Sequence, residues 1–271
     1  MATVSALTYY PIKGCAGVTV DRAEVTPTGL AHDRSFVVTD PDGVALTQRN
    51  VARLATIRAQ VLHAGTKLAL SAPTTDDLIL DVNPHGPLRE VTVHKWHGTA
   101  HDQGDDAATW FTEVLNTPAR LMRAPIGLNR EGSGDTPGQI LYSDSTALLI
   151  TSLSSLDGLN ARLLEKGADP LPMNRFRPNI VVAGWPDPHT EDQVHRMQIG
   201  PVEIAYGKRD IRCVVTTVDQ LAGVRSGPEP LRTLAEYRRE PEGGVSFGMK
   251  AAVLHPGEIF VGDEITVTSW L

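Results

Sequence analysis

Residues 35–48 read SFVVTDPDGVALTQ, and this stretch carries the pattern that decides the fold class. Two runs with strand-forming residues, Ser35–Thr39 and Val44–Gln48, flank Asp40–Gly43, whose proline and glycine favour a tight turn. The pattern predicts a β-hairpin. Runs of the same kind recur along the chain, at Asn179–Ala183, Val202–Tyr206, Cys213–Val218 and Glu258–Thr268, the last interrupted by Gly262 and Asp263.

Three segments carry apolar residues at helical spacing instead. They are Asp106–Leu115, a segment that follows Ser152 and stops at Gly167, and Glu229–Arg238. We therefore predict a mainly β protein with a few helices, built from two β-rich modules at residues 1–125 and 126–271. The polar stretch between Arg130 and Gln139 marks either a domain boundary or a mobile loop over a site. The module to which the first strand belongs stays open.

The composition excludes several classes of protein. The 271 residues carry a formal net charge of −7, whereas nucleic-acid binders are usually basic, so we expect no nucleic-acid partner. Because no run approaches about 18 apolar residues and no signal peptide is recognisable, we expect no membrane association and a cytoplasmic protein. The two cysteines, Cys15 and Cys213, are too few for a disulfide framework. Redox chemistry would therefore need an imported cofactor.

Cys213 is the first candidate for chemistry. It follows Lys208, Arg209 and Arg212, and nearby cations favour the thiolate, the form of cysteine that binds soft metals. The alternative is that Cys213 is a small buried apolar residue. The spacing of these residues does not decide between the two.

Other polar groups are candidates for binding an anion or a polar ligand. They are Lys13 with Gly14, Arg34, Arg177 with Asn179, and the hydroxyl pair Ser145 and Thr146. Each of them also suits an ordinary surface turn or an ion pair. His94, His97 and His101 form either a metal-binding cluster or a set of surface histidines.

Taken together, these segments resemble the MOSC superfamily, and most of all its two-part branch that contains the mitochondrial amidoxime-reducing component and bacterial relatives. The first module resembles the family's N-terminal β-barrel domain, through YPIKGC (10–15), GLAHDR (29–34) and LTQR (46–49). The second resembles the MOSC β-barrel domain, through DST (144–146), LNARL (159–163), FRPNIVV (176–182), RCVVTTVD (212–219) and VGD (261–263). The resemblance covers essentially the whole chain.

The resemblance implies a molybdenum cofactor, Mo-molybdopterin, and assigns roles to particular residues. Cys213 stands where the family places the thiolate that ligates molybdenum, and it is the catalytic and metal-binding residue. The implied cofactor contacts are Lys13, Gly14, Arg34, Ser145, Thr146, Arg177, Asn179, Arg212, Cys213 and Lys250. Gly14 stands where serine is frequent, and Lys250 stands where relatives often have asparagine or an aromatic residue; Lys250 either strengthens phosphate binding or changes the substrate entrance.

The resemblance also implies a reaction. It indicates an oxidoreductase that reduces N-hydroxylated compounds, such as amidoximes, hydroxylamines and N-hydroxylated bases, with electrons from a separate ferredoxin, flavoprotein or cytochrome. Two alternatives stay open. One is a protein that carries or stores the molybdenum cofactor without turnover. The other is a sulfur-transfer protein that bears a persulfide on Cys213.

Overall fold

The structure is a computed structural model that describes all 271 residues. The first half contains the strands β1 (Ala2–Tyr9), β2 (Val18–Val20), β3 (Arg22–Thr26), β4 (Gly29–Leu30), β5 (Phe36–Thr39), β6 (Arg58–Leu62), β7 (Lys67–Ala72), β8 (Thr75–Asp81), β9 (Leu88–Val93), β10 (Trp96–Asp102) and β11 (Arg120–Arg123), and the helix α1 (Asp105–Leu115). The second half contains β12 (Arg130–Glu131), β13 (Gln139–Ile140), β14 (Leu148–Ser152), β15 (Ile180–Ala183), β16 (Val194–Ile199), β17 (Val202–Arg212), β18 (Val218–Asp219), β19 (Val224–Arg225), β20 (Val245–His255), β21 (Gly257–Phe260) and β22 (Glu264–Trp270), and the helices α2 (Leu153–Glu165) and α3 (Leu231–Tyr237). The prediction of a mainly β protein with a few helices is confirmed.

Short 3₁₀ turns lie at Ala52–Thr56, His63–Gly65, Met173–Arg175, Thr190–Gln193 and Val214–Thr217.

Seven strands form a closed barrel. Their order is β15-β14-β20-β17-β16-β22-β1, and β1 pairs back onto β15 to close the ring. The pair of β14 and β15 is parallel and the other pairs are antiparallel. Alternate residues of the strands fill the interior, among them Val4, Leu7 and Ile204, all at most 1% exposed. The first strand of the chain is therefore part of a barrel whose other strands come from the second half.

The rest of the first half packs beside the barrel. It contains the sheet β5-β11-β10-β9 and the sheet β6-β7-β8, which share a core with α1. The apolar side of α1 buries Trp110, Phe111, Val114 and Leu115, the residues that the helical pattern brings to one face.

Helices α2 and α3 cover the outside of the barrel near β20. Ser152 caps α2, because its Oγ accepts a hydrogen bond of 3.1 Å from the backbone N–H of Ser155. The helix buries Leu159 and Leu163 against Phe176 and Phe247, whose rings stack with centroids 3.8 Å apart. This layer fixes the segment that leads into β15.

Two of the predicted strands are wrong. Val44–Gln48 forms no strand, because Ala45 makes a single bridge to Thr39 and the ladder partner of β5 is β11. Cys213–Val218 is largely a 3₁₀ turn, in which the hydroxyl groups of Thr216 and Thr217 donate to the carbonyls of Cys213 and Val214 at 2.9 and 2.8 Å. Cys213 thus follows the end of β17 and does not open a strand.

The helices are short, and none has both the length and the apolar character that crossing a bilayer requires.

Candidate active site

A cleft of about 860 Å³ lies where residues of the first half meet the strands of the barrel. It brings together residues from β17 and β20 with residues from the turns after β1 and β4 and from the segment that leads into β15. All ten residues that the sequence predicts as cofactor contacts line this one cleft: Lys13, Gly14, Arg34, Ser145, Thr146, Arg177, Asn179, Arg212, Cys213 and Lys250. Their role toward a cofactor stays a prediction.

Cys213 presents a half-buried thiol to the cleft. Its Sγ lies 3.6 Å from Nη2 of Arg49, an exposed residue of the first half. Cys15 differs, because it is fully buried in the core of the first half and burial raises the pKa of its thiol to about 12. Of the two thiols, Cys213 alone lines the cleft and is available to a ligand.

Lys13 lines the cleft, and a carboxylate of the protein compensates its positive charge. Its Nζ forms an ion pair with Asp144 and donates a 2.8 Å hydrogen bond to the carbonyl of Tyr142. Burial lowers the pKa of Lys13, and the ammonium group of Lys13 in turn holds the pKa of Asp144 below its usual range. The sequence motif contained Asp144, but nothing in the motif revealed it as the partner of Lys13.

Arg34 and Arg177 converge on one aromatic ring. The central carbons of their guanidinium groups lie 4.4 and 4.3 Å from the centroid of Tyr10, at cation–π distance. Arg34 also pairs with Asp33, and Nη1 of Arg177 donates to Gln220 at 3.2 Å. Burial lowers the pKa of Arg177. Two cations are thus held close together on the side of the cleft that the first strand supports.

Asn179 is buried and its side chain is saturated with hydrogen bonds inside the protein. Its amide nitrogen donates to the carbonyl of Thr8 and to Asp33, both at 3.1 Å. Its amide oxygen accepts from the N–H of Leu149 at 3.1 Å and from Arg34 at 3.0 Å. Since both donors and both acceptor positions are used, this geometry suits Asn179 for positioning Arg34 rather than for contacting a ligand itself.

Two polar atoms around the cleft are buried without a partner: Oγ of Ser145 and Nε of Arg212. Arg212 otherwise donates to the carbonyl of Phe176 at 2.8 Å and pairs with Asp210, and burial lowers its pKa to about 10. The hydroxyl of Thr146 donates to the carbonyl of Leu148 at 3.2 Å. Unpaired buried polar atoms are costly unless a ligand or water satisfies them, so these two mark where a polar ligand fits.

A charged row runs along β17. Lys208, Asp210 and Arg212 alternate on this strand, and all three line the cleft. Lys250 reaches across from β20 and its Nζ lies 2.7 Å from Oδ1 of Asp210, while Nζ of Lys208 donates to Oγ of Ser133 at 2.9 Å. Burial lowers the pKa of Lys250 to about 8 and also lowers that of Lys208. Asp210 could not be recognised from the sequence, because its partner Lys250 is distant in the chain.

The cleft is strongly positive although the chain is negative. Nine Lys or Arg side chains and three Asp or Glu side chains line it, an excess of six positive charges, against a net charge of −7 for the whole chain. Such a concentration of like charge favours an anionic ligand.

The three histidines of the sequence analysis do not form a cluster. Nδ1 of His97 lies 3.0 Å from the hydroxyl of Thr92, and Nδ1 of His101 lies 2.7 Å from the carbonyl of Gly86. No group of three or more His, Cys, Asp or Glu side chains is arranged to hold a metal ion. His94 alone of the three lines the cleft.

The stretch between Arg130 and Gln139 lies at the edge of the cleft. Its ends pair as β12 and β13, and its middle donates backbone hydrogen bonds of 2.7 Å from Ser133 to Ser145 and from Asp135 to Gly207. Of the two interpretations, a loop over a site agrees with this position.

Comparison with known proteins shows the family of the chain. Residues 1–118 match the MOSC N-terminal beta barrel domain, and residues 137–266 match the MOSC domain. Mitochondrial amidoxime-reducing component 1 is 34% identical in Mus musculus and 35% identical in Homo sapiens, each over 98% of this chain and 82% of the relative. The chain belongs to the MOSC family. This MOSC protein is also 31% identical to a molybdenum cofactor sulfurase of Oryza sativa, over 97% of its own length and 34% of that relative.

Proposed function

We propose that this MOSC protein holds a molybdenum cofactor in the cleft and reduces N-hydroxylated compounds such as amidoximes, hydroxylamines and N-hydroxylated bases. One observation carries the proposal: a half-buried thiol, Cys213, opens into a cleft with an excess of six positive charges. A thiolate is a ligand for soft metals, and the cations suit the phosphate of a pterin cofactor. The relatives named for amidoxime reduction support the choice of reaction.

The residues present fit such a cofactor. A terminal phosphate carries close to two negative charges, and Lys13, Arg34 and Arg177 supply cations on one side of the cleft. Ser145 Oγ and Arg212 Nε are unpaired in the protein and would bind the polar edge of the pterin. Thr146 and the backbone at Gly14 complete this wall, and Asn179 keeps Arg34 in position.

When bound, the cofactor would supply two-electron chemistry that removes oxygen from an N–O group. The protein itself would ligate the metal through the Sγ of Cys213 and orient the substrate. Reduction of a hydroxylamine to an amine and water consumes two electrons and two protons, so a reductant is required. We propose a separate electron-donor protein of the ferredoxin, flavoprotein or cytochrome type. The cytoplasmic address stays a prediction, and the animal relatives are mitochondrial by name.

The test is reduction of benzamidoxime to benzamidine by purified protein, with reduced viologen as the electron source. We expect turnover by the wild type and by Cys15→Ala, and at least about a hundredfold loss of kcat in Cys213→Ala, because a metal without its protein ligand is neither held nor oriented. Cys15→Ala is the matched control, since it removes the other thiol. Full turnover by Cys213→Ala contradicts the proposal.

The same preparation separates the two alternative functions. Bound molybdenum without turnover of any N-hydroxylated compound would indicate a cofactor carrier. A mass increase of one sulfur atom on Cys213, in protein without molybdenum, would indicate sulfur transfer. Either result contradicts the proposed reductase.

A further inference from the structure

We propose that the lysine pair Lys208 and Lys250 forms a subsite for an anionic group on the substrate, so that N-hydroxylated compounds bearing a carboxylate are preferred over neutral ones. The inference rests on the proposed function for the identity of the reaction. The binding preference itself rests on one wall of the cleft, formed by Lys208, Asp210 and Arg212 of β17 and Lys250 of β20.

The two lysines are neighbours by strand pairing. Lys208 of β17 and Lys250 of β20 are opposite each other in the antiparallel ladder, and both line the cleft. Residues opposite each other on paired strands project to the same face, so the two ammonium groups share one stretch of wall. Two like charges at such a position repel each other unless an anion lies between them.

The wall contains too little negative charge to compensate its cations. Among Lys208, Asp210, Arg212 and Lys250, Asp210 is the single carboxylate, and it pairs with both Arg212 and Lys250. Asp144, which is paired with Lys13, also acts on Lys250. Lys208 has no carboxylate partner, and its one hydrogen bond goes to the hydroxyl of Ser133. This group of four charged residues therefore carries a net charge of +2, and the charge of Lys250 adds to burial in lowering the pKa of Lys208.

We assign Lys250 to the substrate entrance, the second of the two roles that the resemblance leaves open for it, so the cofactor would not use up this charge. Lys13 and Arg34, which suit its phosphate, lie in the turns after β1 and β4, and Arg177 lies just before β15, whereas the two lysines lie on β17 and β20. A phosphate with about two negative charges and one thiolate would neutralise about half of the excess of six. About three positive charges would remain for another ligand in the same cleft.

The spacing also suits a small aromatic substrate. Asp210, to which Lys250 is bound, precedes Cys213 by three residues, and Cys213 is among the groups that act on the pKa of Lys250, so the lysine pair lies near the thiol. A benzene ring with the amidoxime group and a carboxylate at opposite ends would place one end near Cys213 and the other near the lysine pair. The matched probes are therefore benzamidoxime and 4-carboxybenzamidoxime.

The experiment compares the two probes on holoenzyme with reduced viologen. We expect kcat/KM for the carboxylated probe to exceed that for the neutral probe by about tenfold at low salt, mostly through KM, and to decline as ionic strength rises. In Lys208→Gln this ratio should fall about three- to tenfold. Arg196→Gln is the control, because it removes one positive charge from an exposed ion pair outside the cleft and should leave the ratio unchanged.

A binding measurement makes the inference independent of turnover. Calorimetric titration with 4-carboxybenzamide and benzamide, which lack the N–O bond, should show tighter binding of the carboxylated compound to the wild type and a smaller difference in Lys208→Gln. Equal affinities, or an equal loss in Arg196→Gln, would overturn the subsite. If the carboxylated amide binds more tightly but neither amidoxime is reduced, the subsite stands and the proposed reductase fails.

Discussion

At the scale of single residues, the arrangement of the cleft depends on which charged side chains have a partner of opposite charge. Lys13 has Asp144, Arg34 has Asp33, and Lys208 has no carboxylate at all. A buried charge without a partner is costly, so the two aspartates hold Lys13 and Arg34 in place at the cleft, whereas no carboxylate of the protein compensates the charge of Lys208.

The contribution of internal pairing to stability can be tested at Asn179. Its side chain forms hydrogen bonds with four groups beside the cleft. We expect Asn179→Ala to lower the free energy of unfolding by about 3 kcal/mol, since it leaves buried donors and acceptors unpaired. Urea denaturation should show a lower midpoint with an unchanged m-value. Asn174→Ala, an exposed position in the same segment, should stay within about 0.5 kcal/mol of the wild type. Equal effects in the two variants would contradict this role.

The sequence predicted ten of the residues that line the cleft, but not how they are paired. Their types and motifs are local, so Lys13, Arg34 and Cys213 could be named from the chain alone. Their partners are set by the tertiary fold: Asp144 lies 131 positions from Lys13, and Arg49 lies 164 positions from Cys213. The saturation of Asn179 depends on contacts from three other segments, which no local motif contains.

At the scale of elements, the end of β17 decides where Cys213 stands. Val214, Val215 and the two following threonines have the β-branched side chains typical of a strand, and the sequence therefore predicted one. The threonine hydroxyls instead bond back to carbonyls three residues earlier and close a 3₁₀ turn. The ladder between β17 and β20 ends one residue before Cys213, at the pair of Arg212 and Val245.

The loop between β12 and β13 is held against β17 at a point where no side chain fits. A Cβ on Gly134, which has φ of +143°, would lie 2.5 Å from the carbonyl oxygen of Gly207. We expect Gly134→Ala to displace the loop and to speed hydrogen exchange of the Asp135 amide by at least about tenfold, because that amide donates to Gly207. Thr136→Ala, in the same loop, is the control. Unchanged protection of Asp135 in Gly134→Ala would contradict this anchoring.

At the scale of the whole molecule, the two sequence modules are interlocked. The first strand completes the barrel of the second half, and the chain then leaves the barrel through Lys13 and Gly14 at the cleft. Alternation and turn patterns identify strands, but they do not identify the strand that closes a ring, because that pairing joins residues almost 180 positions apart. The predicted boundary near residue 125 remains a prediction.

The central claim is that the Sγ of Cys213 holds a metal in this cleft. The most direct measurement is the molybdenum content of purified wild type, Cys15→Ala and Cys213→Ala, expressed in a host that makes the cofactor and checked for folding by circular dichroism. We predict about one molybdenum per chain in the first two proteins and less than about a tenth of that in Cys213→Ala, because metal affinity depends on its ligating thiolate. Folded Cys213→Ala with the full molybdenum content of the wild type would contradict the account.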